Sequence, residues 1–233
     1  VTAGRGIKVA KHWNYGFSFI SGSSNLIANL GSKFRNDKDF LEKCIDQAGI
    51  CVLHDPLFHP AMKNVAPIRK ELAVKTFFNM LGPMVNPSFP KNQVVGVFSL
   101  ELARMYAYLY QNTETNFTIL HSLDGYDEIS LPFNTKPISN KMEGMLRPED
   151  FGVALLQQSE IQGGSTIEQS AQMFLNIVSG KGTEAQNNVV CANAGMAIAT
   201  VNQLTPKQGF ELAKESLLSG SAYEKLKKLQ QIQ

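Results

Sequence analysis

Short apolar segments alternate with amphipathic stretches along the first half of the chain. Buried strands are predicted where the apolar runs are four to seven residues long, at 6–10, 50–53, 93–99 and 117–123. Helices are predicted between them at 23–30, at 37–48 with Asp37 or Asp39 as the cap, near 59–72, and at 101–111. Strands that alternate with helices indicate an α/β fold, in which helices cover both faces of a central sheet.

The C-terminal part has a helical pattern, and its breaks fall at glycines. Helices are predicted at 166–178, 184–203, 206–218 and 222–231. The stretch 189–201 is apolar almost all round, which is typical of a helix buried in a core. Since no linker or internal repeat interrupts the chain, we expect residues 1–233 to form a single α/β domain.

Composition narrows the class of protein. The net charge of +2 is small and the basic residues are scattered, so nucleic acid and membrane surfaces are poor candidates for partners. The three cysteines have no metal-ligand spacing and lie in apolar runs, as buried thiols do in a reducing compartment. Without a signal peptide or an apolar run of spanning length, a soluble cytoplasmic protein is expected.

Residues 58–87 contain the most informative polar positions. Arg69 lies among apolar residues at helical spacing, with His59 upstream and a Gly82-Pro83 turn downstream. An arginine in such a setting has five donors to satisfy and usually binds a planar anion. A flat, negatively charged small molecule would suit it, although residue type alone favours pairing with an internal carboxylate.

Three motifs together resemble those of anthranilate phosphoribosyltransferases. HPAMKNVAPIRKEL followed by FFNMLGPMVNP resembles the family's substrate-binding segment, KVAKHWNYGFSFISGSS its KHGN phosphoribosyl loop, and DGYDEIS its acidic metal pair. They occur in the family's order, from about residue 6 onward. The resemblance implies transfer of phosphoribosyl from phosphoribosyl pyrophosphate to anthranilate, giving N-(5-phosphoribosyl)anthranilate and pyrophosphate in tryptophan biosynthesis, with Mg²⁺.

The resemblance also assigns residues to ligands, with no single side chain certain to carry the chemistry. Phosphoribosyl pyrophosphate is assigned to Lys11, His12, Asn14, Ser18 and Ser23. Anthranilate is assigned to Asn14, His59, Arg69 and Gly82. The metal ion is assigned to Asp127 and Glu128. Read without the family, the acidic pair is a solvent-exposed turn and the serines a bland loop. His54 and His121 match no motif and are expected to be structural.

Several positions depart from the family pattern. The chain starts after the N-terminal helical domain, on which the family's usual dimer depends, and after the glycine-rich GTGGD loop. Trp13, Phe17, Phe19 and Ala73 stand where smaller residues or glycine are usual, and Asp55 is expected to repel an incoming carboxylate at the anthranilate entrance. We therefore expect little or no turnover from this chain.

Two other functions stay open at this point. One is a non-catalytic remnant that keeps the fold and the small-molecule pocket around Arg69. The other is a nucleic-acid-binding relative of the same fold, against which the intact segment 58–87 and the low net charge argue.

Overall fold

A computed structural model describes residues 1–13, 23–60, 71 and 80–232. Contacts between Cα atoms divide the chain into two compact units. Unit 1 comprises Val1–Ile7, Pro90–Gln162 and Asn176–Tyr223, and unit 2 comprises Lys8–Phe89, Gly163–Leu175 and Glu224–Gln233. The single domain expected over residues 1–233 stays a prediction.

Unit 2 contains a parallel pair of strands, β1 (Val9–Trp13) and β2 (Ile50–His54). Their register sets His12 opposite Leu53 and Trp13 opposite His54. The predicted strand that carries Lys11 and His12 at its carboxyl end is present, but its predicted bounds, 6–10, are wrong. A 3₁₀ helix covers Thr2–Arg5 and is capped by Gly6, whose φ of 81° lies in the left-handed region. The strand therefore begins later, and Lys11 and His12 are part of it.

The helices of unit 2 surround a small apolar core. They are α1 (Ser23–Asn29), α2 (Lys38–Lys43), a π-helical turn at Cys44–Ala48 and α3 (Asp55–Phe58). Asp37 caps α2 by accepting a hydrogen bond from the Phe40 amide at 2.9 Å, which confirms one of the two predicted caps. The core consists of Phe40, Cys44, Ala48, Cys51, Leu53, Leu229 and Ile232.

Unit 1 contains a three-stranded sheet in the order β3 (Asn92–Gly96), β4 (Asn116–Ser122) and β5 (Thr135–Ser139). β3 and β4 are parallel, and β5 is antiparallel to β4. Helix α4 (Leu100–Tyr110) connects the parallel pair, and Ser99 caps it by accepting a hydrogen bond from the Leu102 amide. The α/β class is confirmed, and within the described residues the strands pair as two sheets.

The helices predicted near the C-terminus are all present. They are α5 (Ile167–Val178), α6 (Glu184–Asn202), α7 (Pro206–Leu218) and α8 (Ser221–Gln231). No residue of 189–201 in α6 is exposed, as its all-round apolar pattern predicted. Helices α6 and α7 approach closely at two glycines, because a Cβ on Gly209 would lie 2.2 Å from the carbonyl oxygen of Gly195.

The cysteines and the unassigned histidines have the structural roles predicted for them. All three cysteines are free and buried, and burial raises the pKa of Cys51 and of Cys191 to about 11. The His54 ring stacks on Phe34 at 5.0 Å, and the Nδ1 of His121 lies 2.9 Å from the Val97 carbonyl oxygen. Among the helices that the structure describes, none is both long and apolar enough to cross a bilayer.

Candidate active-site residues

In unit 2, candidate ligand-binding side chains lie at the carboxyl ends of the parallel strands. His12 is the penultimate residue of β1, and Asp55 directly follows β2 and begins α3. His59 directly follows α3, and its amide donates to the Asp55 carbonyl oxygen at 2.9 Å. Ligands of parallel α/β sheets bind outside this edge, so the position is one where a functional site is expected.

The His12 side chain is held by the backbone of the Gly82 turn. It is only 5% exposed, and its Nδ1 donates a hydrogen bond to the Gly82 carbonyl oxygen at 3.1 Å. The Nδ2 of Asn86, from the same turn, donates to the Ala10 carbonyl oxygen of β1 at 3.3 Å. The turn predicted from Gly82-Pro83 therefore fixes the orientation of the imidazole as well as approaching β1.

Asp55 brings the two histidines together. Its Oδ1 lies 3.4 Å from the Nε2 of His12 and 3.7 Å from the Nε2 of His59. The two rings are edge to face, with centroids 5.3 Å apart and planes at 77°. We call His12, Asp55 and His59 the histidine–aspartate cluster. The sequence predicts that the negative charge of Asp55 faces an incoming ligand. It does not predict the contacts of Asp55 with the two imidazole rings.

In unit 1, the acidic motif forms a loop directly after β4, between residues 123 and 129. Within this acidic loop Asp127 and Glu128 are exposed, while the Asp124 Oδ2 accepts a hydrogen bond from the Ser130 hydroxyl at 2.7 Å. The other oxygen of Asp124 is buried, without a hydrogen-bond partner among the described residues. The Ser122 amide donates to the Tyr126 carbonyl oxygen at 2.9 Å, which closes the loop onto its own strand.

Two residues outside the acidic loop fix its backbone. Gly96, the last residue of β3, lies so close that a Cβ on it would be 1.7 Å from the Asp127 carbonyl oxygen. Asn193 of α6 accepts from the Ile129 amide at 2.9 Å and donates to the Ile129 carbonyl oxygen at 2.8 Å. The exposed carboxylates are therefore carried on an anchored main chain.

The acidic pair fits a magnesium ion that is completed by other ligands. Mg²⁺ prefers hard oxygen donors and usually takes one or two carboxylates together with phosphate oxygens and waters. Of the residues that the structure describes, only the histidine–aspartate cluster gathers three donors of the kinds that bind metals, all within 4.8 Å. Asp127 and Glu128 thus supply part of a coordination shell at most.

The structure brings together some of the residues assigned from the sequence. His12, His59 and Gly82 meet in unit 2, Lys11 is an exposed residue of β1, and Asp127 and Glu128 are neighbours in the acidic loop. Asn14, Ser18 and Arg69 lie outside the described residues. Ser23 begins α1, and its side chain is not described.

Sequence reasoning named Asp55 but missed its contacts with the two histidines, and it missed Gly96 and Asn193 altogether. Asp55 joins the two histidines, and its spacing of four residues from His59 was an available signal, since such residues share a helix face. The roles of Gly96 and Asn193 depend on contacts distant in sequence, which no local pattern indicates.

Comparison with known proteins identifies the family of the chain. A sequence model of the glycosyl transferase family, a/b domain, matches residues 1–223. The anthranilate phosphoribosyltransferase of Flavobacterium psychrophilum is 83% identical over 232 residues, which cover 100% of this chain and 70% of that protein. The chain belongs to the anthranilate phosphoribosyltransferase family. The family predicted from the three motifs is thereby confirmed.

Other members of the anthranilate phosphoribosyltransferase family agree. The enzyme of Flavobacterium johnsoniae is 75% identical over the same length. The crystal structure from Thermus thermophilus has a TM-score of 0.91 and 31% identity, covering 98% of this chain and 69% of that one. The Saccharomyces cerevisiae enzyme in complex with PRPP and Mg has a TM-score of 0.87 and 27% identity, covering 98% and 66%.

Proposed function

We propose that this chain carries the phosphoribosyl-transfer site of an anthranilate phosphoribosyltransferase. The amine of anthranilate displaces pyrophosphate from phosphoribosyl pyrophosphate, giving N-(5-phosphoribosyl)anthranilate in cytoplasmic tryptophan biosynthesis. The observation that carries the proposal is the 83% identity, over the whole chain, to a relative of that name. Small molecules are its partners.

Phosphoribosyl pyrophosphate binds at the carboxyl end of β1. Its proposed contacts are Lys11, His12, Asn14, Ser18 and Ser23. Lys11 is exposed there, and its ammonium group supplies a point charge for a phosphate. The His12 ring is fixed by the Gly82 carbonyl oxygen, so it contacts the ligand without an entropic cost of ordering.

Anthranilate binds to Asn14, His59, Arg69 and Gly82. Arg69 pairs with the carboxylate through charge-assisted hydrogen bonds. The short distances from His12 to Gly82 and to His59 support a common pocket, because His12 belongs to one ligand set and the other two residues to the second. Holding the amine in line with the ribose carbon supplies the positioning that this displacement needs.

Asp127 and Glu128 hold Mg²⁺ together with the pyrophosphate group. The ion, when bound, neutralises charge on the leaving pyrophosphate. The chain contributes two exposed carboxylates on a backbone that Gly96 and Asn193 anchor. Magnesium in a relative's complex with PRPP supports this assignment.

The experiment is calorimetric titration of the chain and of Arg69→Ala with anthranilate and, separately, with phosphoribosyl pyrophosphate and Mg²⁺. Loss of a charge-assisted hydrogen bond of about 1.5–3 kcal/mol predicts anthranilate binding about 10–150-fold weaker in the variant, with phosphate-ligand binding unchanged. Arg104→Ala, an exposed arginine of α4, is the matched control and changes neither. Equal loss of both ligands, or of neither, contradicts the assignment.

Turnover separates an enzyme from a remnant that only binds. The residues that depart from the family pattern, at Trp13, Phe17, Phe19, Asp55 and Ala73, predict little or no turnover. Steady-state assay with both substrates and Mg²⁺ measures it, and a rate in the ordinary range of about 1–10³ s⁻¹ would contradict that prediction. Binding without turnover would show that the ligand contacts of this chain do not suffice for the reaction.

A further inference from the structure

The histidine–aspartate cluster places hydrogen-bond acceptors close to one another. A carbonyl oxygen only accepts, so the contact with Gly82 requires a proton on the Nδ1 of His12. In a neutral ring the Nε2 of His12 is then a bare lone pair, 3.4 Å from a carboxylate oxygen of Asp55. Two acceptors this close repel each other, and a proton or a metal ion between them would relieve that repulsion.

The second histidine faces the same carboxylate oxygen. The Nε2 of His59 lies 3.7 Å from the same Asp55 oxygen, and its side chain is 26% exposed. Neither Nε2 atom, although both are buried, has a hydrogen-bond partner within the part of the chain that the structure describes. Both rings therefore direct an unsatisfied nitrogen at one carboxylate.

The distances fit a metal better than a shared proton. Tetrahedral zinc, with bonds of about 2.0–2.1 Å to nitrogen and oxygen, separates its ligand atoms by about 3.3–3.4 Å. The separation from the Asp55 Oδ1 to His12 is 3.4 Å, which matches this value, and that to His59 is 3.7 Å, which is slightly longer. One ligand atom of each of the three residues lies within 4.8 Å of the other two. A charge-assisted hydrogen bond is shorter, about 2.7–2.9 Å, and is directed along the line between its two atoms.

We propose that His12, Asp55 and His59 bind a divalent transition-metal ion of the zinc class. Two imidazoles and a carboxylate are a donor set that suits zinc and is poor for magnesium. The Gly82 carbonyl oxygen, which accepts from the other nitrogen of His12, is the outer partner that metal-binding histidines usually have. Three protein donors leave a fourth position for water.

This site shares His12 and His59 with the proposed ligand contacts, but its donors differ from those proposed for magnesium. It uses nitrogen donors, whereas the magnesium assignment uses the carboxylates of Asp127 and Glu128. It also depends on Asp55, which stands where the resembled family has a small residue. The metal site is therefore inferred for this chain. A measurement of zinc binding tests it without substrates or turnover.

The test is calorimetric titration of the intact chain with Zn²⁺ in the absence of substrates. We expect one ion per chain. Asp55→Asn should weaken binding by more than about 100-fold, since even an outer partner of a metal ligand contributes about 10–100-fold. The matched control is Asp46→Asn, whose carboxylate pairs with Lys8 at the surface, and zinc binding should be unchanged in it.

Nitrogen NMR of the histidine rings supplies a second readout. Zn²⁺ should shift the Nε2 signals of His12 and His59, and the buried His54 and His121 are internal controls that should not respond. If Asp55→Asn fails to fold, as urea unfolding would reveal, His59→Gln replaces it because His59 is partly exposed. Equal zinc affinity of the chain and either folded variant, or zinc signals confined to other residues, overturns the proposal in favour of imidazolium–carboxylate pairs.

Discussion

The histidine–aspartate cluster and the acidic loop occupy comparable places, each at the carboxyl end of a parallel strand. Their carboxylates, however, lie in opposite environments. In unit 2, Asp55 is largely buried and its carboxylate contacts two imidazoles. In unit 1, Asp127 and Glu128 are exposed, and Asn193 holds the loop through hydrogen bonds to its backbone. A buried carboxylate requires nearby partners, whereas an exposed one keeps much of its contact with water.

The difference has a consequence for how each region binds cations. The three donor groups of the cluster already lie close together, so a metal ion bound there needs no further ligand except water. The acidic loop presents two carboxylates on a fixed main chain, too few for an ion that demands octahedral oxygen coordination. We therefore expect the acidic loop to depend on a second ligand and the cluster to be independent of one.

The largest predicted effect is that of Gly96→Ala. The added Cβ would lie 1.7 Å from the Asp127 carbonyl oxygen, so the acidic loop must move. We expect a loss in the free energy of unfolding of about 3 kcal/mol, the upper end for an overpacked site. Magnesium binding in the presence of phosphoribosyl pyrophosphate should be lost, while zinc binding in unit 2 persists.

Urea unfolding and calorimetry measure both parts of this prediction. Gly144→Ala is the matched control in unit 1, because among the described residues, its two chain neighbours aside, no atom lies within 4 Å of its added Cβ. Unchanged stability and magnesium binding in Gly96→Ala would show that the acidic loop does not depend on this close approach.

A smaller effect is expected from Asn193→Ala. The change removes both hydrogen bonds to the Ile129 main chain, and Ile129 is only 1% exposed. Unsatisfied buried groups predict a loss of about 2 kcal/mol. Amide exchange at Ile129 should accelerate, with Asn202→Ala, an exposed asparagine of the same helix, as the control. Slow exchange in the variant would mean that other contacts hold the acidic loop.

The smallest effect concerns the buried thiol of Cys51 in unit 2. Burial raises its pKa from 9.0 to about 11, so above pH 9 the unfolded chain releases a proton that the folded chain keeps. The stabilising contribution is complete below pH 9 and is lost as pH rises through 11. Cys51→Ala should therefore make the free energy of unfolding fall less steeply between pH 9 and 11. An unchanged slope in urea unfolding would contradict this.

Much of the fold could be predicted because its local signals agree. The cap at Asp37, the glycine breaks and the all-round apolar run in α6 each follow from short-range chemistry. The start of β1 could not be predicted from apolar residues alone, since Gly6 ends a 3₁₀ helix there. The apolar pattern is the same for either conformation of that segment.

The candidate sites were predictable as residue types but not as arrangements. The motifs identified His12, His59 and the acidic pair, yet the position of Asp55 between the histidines follows from the register of β1 on β2. Register depends on pairing between segments about forty residues apart, so a spacing in the sequence does not reveal it. The same holds for the approach of Gly96 to Asp127.

The central claim is that the acidic loop binds magnesium only with a pyrophosphate-bearing ligand. Calorimetric titration of the chain with Mg²⁺, before and after addition of phosphoribosyl pyrophosphate, tests it directly, with Asp127→Asn and Glu128→Gln to locate the ion. The account predicts no measurable magnesium binding by the free chain and binding that depends on both carboxylates once the ligand is present. Tight magnesium binding by the free chain, or ligand-dependent binding that both variants retain, would contradict it.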